Sequence, residues 1–145
     1  DVARDRGDAI ARLHWLQLSW DEDPNASYNN YRLGEYFEQS GDLRDAQAYF
    51  SRIKVLFPTD PNGYLSYSRV SFGLGEWENG IAAIRVLLSD ISPDSEQQWR
   101  NVSALIRQNA NPTLCESIKA MLNEFSPAKS ADIMASIENI RIWCS

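Results

Sequence analysis

Gly41 and Gly75 each stand at the head of a polar step into an apolar run: "SGDLRDAQAYF" and "LGEWENGIAAI". A fixed period of about 34 residues constrains a chain more than any single motif does, because each period must be one supersecondary unit that stacks on its neighbours. The same step recurs in other registers. Phe50, Ile84 and Ile118 form one series, and Ile53, Leu87 and Met121 form another. Gly34 leads to Ser68, Val102 and Ser136, which are mostly small, and Pro93 leads to Pro127. From Gly75 the step falls on Asn109. Asn is the next best residue after Gly for a left-handed turn, so a third turn is expected there.

Between these punctuation marks the apolar residues recur at helical spacing. Eight helices are predicted, over residues 2–20, 28–39, 43–57, 62–74, 77–91, 95–108, 113–125 and 128–143. In the first, Ile10, Leu13, Leu16 and Trp20 share one side. "DPN" ends that helix at 23–25 and recurs at 60–62. Ser95 and Ser130 stand where a hydroxyl would accept the orphan amide hydrogens of a helix start. A helix pair of this size cannot bury its apolar face alone. Units 27–60, 61–94 and 95–128 are therefore expected to stack into one all-α superhelix, a single domain over 1–145. The last helix shows Ile133, Ile137, Ile140 and Trp143 on one side, with Lys129, Asp132, Ser136 and Asn139 on a more polar flank. That suits a terminal cap; the alternative is the start of a further repeat.

The period and pattern resemble the tetratricopeptide repeat. Unit 27–60 carries the best match, with Leu33-Gly34, Phe37, Ala46, Phe50 and Pro58. Gly34 and Ala46 are small where the two helices of a unit cross. The second unit has Tyr64 and Tyr67 at the large positions and Ser68 and Gly80 at the small ones. In the third, Leu114 replaces a small residue, which alters the expected crossing. The resemblance implies that the first helix of each unit lines a concave groove. The inward positions are then Tyr28, Tyr31, Glu35 and Glu38, then Asn62, Leu65, Arg69 and Phe72, then Glu96, Trp99, Ser103 and Ile106. Of these, Tyr28, Tyr31, Glu35, Glu38, Leu65, Arg69, Phe72 and Trp99 are the candidate partner-binding residues. Aromatics and Arg are the usual anchors of protein interfaces, and bases of a peptide would meet Glu35 and Glu38. The bland reading is that Tyr31, Leu65, Phe72 and Trp99 pack between units. The Lys/Asn clamp that some family members use for a C-terminal carboxylate is not matched, since Tyr31, Glu35 and Arg69 occupy such places.

The resemblance also makes the last two helices antiparallel neighbours. Cys115 and Cys144, the only two cysteines, then lie at the same end. A disulfide between them would close a loop of about 30 residues and contribute roughly 3 kcal/mol. It would imply an oxidising compartment, periplasmic or secreted. The alternative is two reduced thiols in a cytoplasmic protein. The sequon triplets at Asn25 and Asn101 are too common to decide between these.

Composition excludes several classes. With 20 acids against 14 bases the net charge is −6 and the bases are scattered, so nucleic acid and anionic membrane surfaces are poor partners. No apolar run reaches the roughly 18 residues of a membrane span. The chain shows no signal or lipidation motif. There is no Gly-rich phosphate loop and no Gly-x-Ser-x-Gly elbow. The lone His14 makes a poor metal site, and Glu35 and Glu38 lie one turn apart as a solvated face would place them. No enzyme activity, cofactor or metal is expected. The leading reading is a non-enzymatic scaffold that binds a protein or peptide in its groove, within an extracytoplasmic assembly, secretion or export apparatus. Alternatives are an accessory domain of a larger enzyme or transporter, for example one that handles glycans, and a small-ligand sensor.

Overall fold

A computed structural model describes residues 2–125 and 129–145. Pro127 and the predicted start of the last helix at Ala128 lie outside the described residues. Among the described residues there are eight α-helices and no strand: α1 (Val2–Glu22), α2 (Ser27–Gln39), α3 (Leu43–Leu56), α4 (Pro61–Gly73), α5 (Trp77–Val86), α6 (Glu96–Asn109), α7 (Pro112–Leu122) and α8 (Ala131–Trp143). A π-helical turn, Leu87–Ile91, extends α5. The architecture is an all-α superhelix of stacked helix pairs. α2 packs on α3 and α4 on α5, α3 joins the two pairs, and α1 covers α2. No described helix is long and apolar enough to cross a membrane.

The periodic series fall where stacking needs them. Phe50, Ile84 and Ile118 are fully buried, as are Ile53, Leu87 and Met121. Gly41 and Gly75 adopt the left-handed conformation (φ 83° and 76°) at the α2–α3 and α4–α5 turns. The close crossings are built differently in the two pairs. In the first, a Cβ on Gly34 would stand 2.5 Å from the ring of Phe50, which comes from α3. In the second, a Cβ on Gly80 would stand 2.3 Å from the ring of Phe72, which comes from α4. The Ser68 hydroxyl donates to the Gly80 carbonyl at the same crossing (2.9 Å). Helix starts are capped by Asp42, Asp60, Ser95, Asn111 and Ser130, whose side chains accept from backbone amides.

The third unit departs from this plan. α6 lies closest to α8, and α7 lies on α5; α6 and α7 do not approach as the first two pairs do. Leu114, fully buried, stands where α3 has Ala46 and α5 has Gly80, so a large side chain keeps the two helices apart. The turn between α6 and α7 holds two residues, Ala110 and Asn111, against three in the earlier pairs. Asn109 therefore stays within α6, and no non-glycine described residue has a positive φ. The expected left-handed turn at Asn109 is absent because the shorter turn has no place for it.

A second irregularity precedes α6. Each turn between units is clasped by a side chain six residues past its proline. Asn30 Nδ2 donates to the Pro24 carbonyl (2.8 Å), Tyr64 Oη to Pro58 (2.7 Å) and Trp99 Nε1 to Pro93 (3.0 Å). Pro93 lies one residue further along from Pro58 than Pro58 does from Pro24. The additional residue sits in a stretch that contains the π turn at Leu87–Ile91, and a π turn accommodates one residue more than α-helix. One residue is gained before α6 and one is lost after it. α6 is thus shifted by one residue, or about 100° of rotation, against the period of its neighbours.

The terminal helices also differ from expectation. Leu13, Leu16 and Trp20 are partly buried, but Ile10, Trp15 and Leu18 of α1 are exposed, as is His14. In α8, Ile133, Ser136, Ile137 and Ile140 are buried. Ser136 thus belongs to the packed side and not to a polar flank. Met134, Ile142 and Trp143 remain at the surface, so the outer side of α8 is less polar than a cap would have it.

Candidate partner-binding groove

α4 lies beside α6 and α6 beside α8, and Arg69 of α4 reaches Glu38 of α2. On α2, Tyr28 is open to solvent (69% exposed), and the Arg32 guanidinium lies 5.7 Å from its ring centroid. Tyr31 is half-buried, with its ring tilted against Phe50 at 5.9 Å. Glu35 and Glu38 are half-buried. Glu38 is already engaged: both its oxygens accept from Arg69 of α4, at 2.5 and 2.7 Å. That hydrogen bonding raises the Arg69 pKa further above its ordinary value, against the opposing effect of burial. The guanidinium also rests over Phe50, 5.9 Å from its centroid. Glu38 is therefore not a free receptor for a partner's base, and Arg69 is not a free anchor.

Beyond Arg69 the groove opens. Leu65, Arg69, Asn101, Ala104, Leu105 and Gln108 bound a cleft of about 330 Å³ between α4 and α6. Ala104 and Gln108 also bound a second cleft, of about 480 Å³, between α6 and α8. Its other walls include Arg100, Arg107, Asn139 and Trp143, and Ser103 and Ser136 are small where the two helices approach. The two clefts flank α6 and share Ala104 and Gln108 as the wall between them. A third hollow, of about 530 Å³, adjoins Trp143 and lies over Cys115 and Cys144.

Four of the predicted inward residues are not at the surface. Phe72 (2% exposed) turns into the α4–α5 crossing because Gly80 leaves room for its ring, and Trp77 packs against it at 5.8 Å. Trp99 (0% exposed) is held in the core by its bond to Pro93 and by an edge-to-face contact with Phe125 at 5.1 Å. Ser103 and Ile106 are buried as well. The one-residue shift of α6 accounts for the burial of Trp99, Ser103 and Ile106. Gln97, Arg100, Ala104 and Arg107, each one past the expected residue, are exposed in their place. Arg100, Ala104 and Arg107 were missed, although the proline spacing carried the signal.

Cys115 and Cys144 form a disulfide, with Cα atoms 5.1 Å apart, joining the start of α7 to the end of α8. Among the described residues, no three His, Cys, Asp or Glu side chains converge where they could hold a metal ion. The remaining ion pairs, Arg44–Glu76, Arg85–Glu124 and Lys129–Asp94, join neighbouring elements. The Glu76 carboxyl is held below its ordinary pKa by hydrogen bonds from Gln47 and Arg44.

No family model matches the chain, and no curated relative does. The fold superposes on the crystal structure of MamA with a TM-score of 0.59, covering 99% of this chain and 92% of the other at 14% sequence identity. At that identity the likeness is one of fold: both chains are stacks of helices of the same overall build.

Proposed function

We propose that the chain is a tetratricopeptide-type scaffold that holds a partner protein or peptide in its concave groove and does no chemistry of its own. The observation that carries this reading is the pair of adjoining clefts on either side of α6, where Leu65, Ala104 and Trp143 offer apolar contact between polar side chains. Interfaces are anchored by such mixed patches. Glu38, which faces the groove residue Arg69, is tied to it in an ion pair, which suits structure and not acid–base catalysis. The disulfide supports an oxidising, extracytoplasmic compartment, where assembly, secretion or export machines use such scaffolds.

The test is loss of association by charge insertion. Leu65→Glu and Ala104→Glu replace apolar contact in the groove by a charged, bulkier side chain and are expected to weaken capture of the native partner from the host at least tenfold. Ala48→Glu and Ala82→Glu, one period apart on exposed faces of α3 and α5, should leave capture unchanged. Equal loss from both sets would argue against a concave binding site.

A further inference from the structure

The α6–α8 cleft is lined by two arginines that join no ion pair, in a chain with more acids than bases. Arg100 and Arg107 lie seven residues apart on one face of α6, about 10 Å along its axis. Both are exposed, and both line the cleft. Among the described residues neither joins an ion pair; those pairs are Arg44–Glu76, Arg69–Glu38, Arg85–Glu124 and Lys129–Asp94. Arg100 donates only to Gln97 of its own helix (3.1 Å). The Arg107 guanidinium stands 4.8 Å from the ring centroid of Trp143, which is 36% exposed. That contact preorganises one guanidinium above an apolar wall. The cleft therefore carries two positive charges, both from α6, against an uncharged α8 wall of Ser136, Asn139 and Trp143.

We propose that the α6–α8 cleft receives an acidic segment of the partner, with two carboxylates spaced to meet Arg100 and Arg107 and an apolar side chain on Trp143. The inference rests on the scaffold reading above. A guanidinium fork matches a carboxylate in shape and charge. In a polyproline-II segment, with three residues per turn and a rise of about 3.1 Å, carboxylates three residues apart lie on one side and span roughly the separation of the two arginines. Two arginines in an acidic chain make too small a cationic surface to follow a nucleic-acid backbone, which needs several phosphate contacts.

The test is an NMR titration of the ¹⁵N-labelled protein, with its disulfide intact, against three probes. They are an acetylated decapeptide of Asp-Ala-Leu repeats, its Lys-Ala-Leu counterpart and inorganic phosphate. The Asp peptide is expected to shift the Trp143 indole signal and the amides of α6 and α8. Its affinity should fall roughly tenfold in Arg100→Gln/Arg107→Gln, and fall again as salt is raised. No shift with the Asp peptide overturns the proposal. An equal shift with the Lys peptide overturns it too, since apolar contact alone then suffices. An equal shift with phosphate also overturns it, marking a small-anion site in place of a peptide site. None of these outcomes touches the scaffold reading, which stands or falls on capture of the native partner by the Leu65 and Ala104 variants.

Discussion

Gly80→Val is expected to destabilise the protein by about 3 kcal/mol, near the upper end for overpacking a buried crossing. The position has no room: a Cβ alone would meet the Phe72 ring at 2.3 Å, and Phe72 is buried on every side. The gain in helix propensity on losing a glycine, a few tenths of a kcal/mol for valine, does not offset this. For a chain of this size the melting temperature should fall by roughly 10 °C. Ala82→Val, two residues on and exposed, should change it by less than about 0.5 kcal/mol. Adding Phe72→Leu to Gly80→Val should recover part of the loss, because the smaller side chain leaves space for the new methyls. A Gly80→Val protein as stable as the parent would mean that the α4–α5 crossing is not as close as described.

Removing the disulfide by Cys115→Ala with Cys144→Ala is expected to cost about 3 kcal/mol, for a cross-link between positions 29 apart in sequence. The location of the effect matters as much as its size. α8 is a terminal helix that docks on α6, and its covalent tie runs to the start of α7. Hydrogen exchange should therefore accelerate most over Ala131–Trp143 and least in the α2–α3 pair. Reduction of the parent protein should reproduce that pattern. Unchanged exchange in α8 after reduction would show that packing of Ile133, Ile137 and Ile140 holds the helix without the tie.

The period was legible because the two burial series of the second helices keep their step from end to end. Ile84 to Ile118 and Leu87 to Met121 hold it even across the irregular third unit. Caps were legible where chemistry is local: Ser95 and Ser130 accept from Gln98 and Ile133 as their positions suggested. The cysteine pairing was expected from α7 and α8 lying side by side; the two ends do meet at Cys115 and Cys144, but α8 packs on α6 and α7 on α5. The groove was legible only in part. Leu65 sits in it, but Trp99 does not, because the insertion before α6 and the deletion after it cancel in the second-helix series. Only the longer step from Pro58 to Pro93 betrayed the shift. Phe72 was lost to the groove for another reason: spacing shows which residues share a face, but not which ring a neighbouring glycine admits. The engagement of Glu38 with Arg69, 31 positions away, needed the stacking of α2 and α4 to be seen.

The most direct measurement is photo-cross-linking in the native host, with benzoylphenylalanine placed singly at Leu65, Ala104, Ala48 and Ala82. The groove account predicts one discrete protein adduct, the same from Leu65 and Ala104, and none from Ala48 or Ala82. An adduct from Ala48 or Ala82 with none from the groove would place the partner on the other face and contradict it.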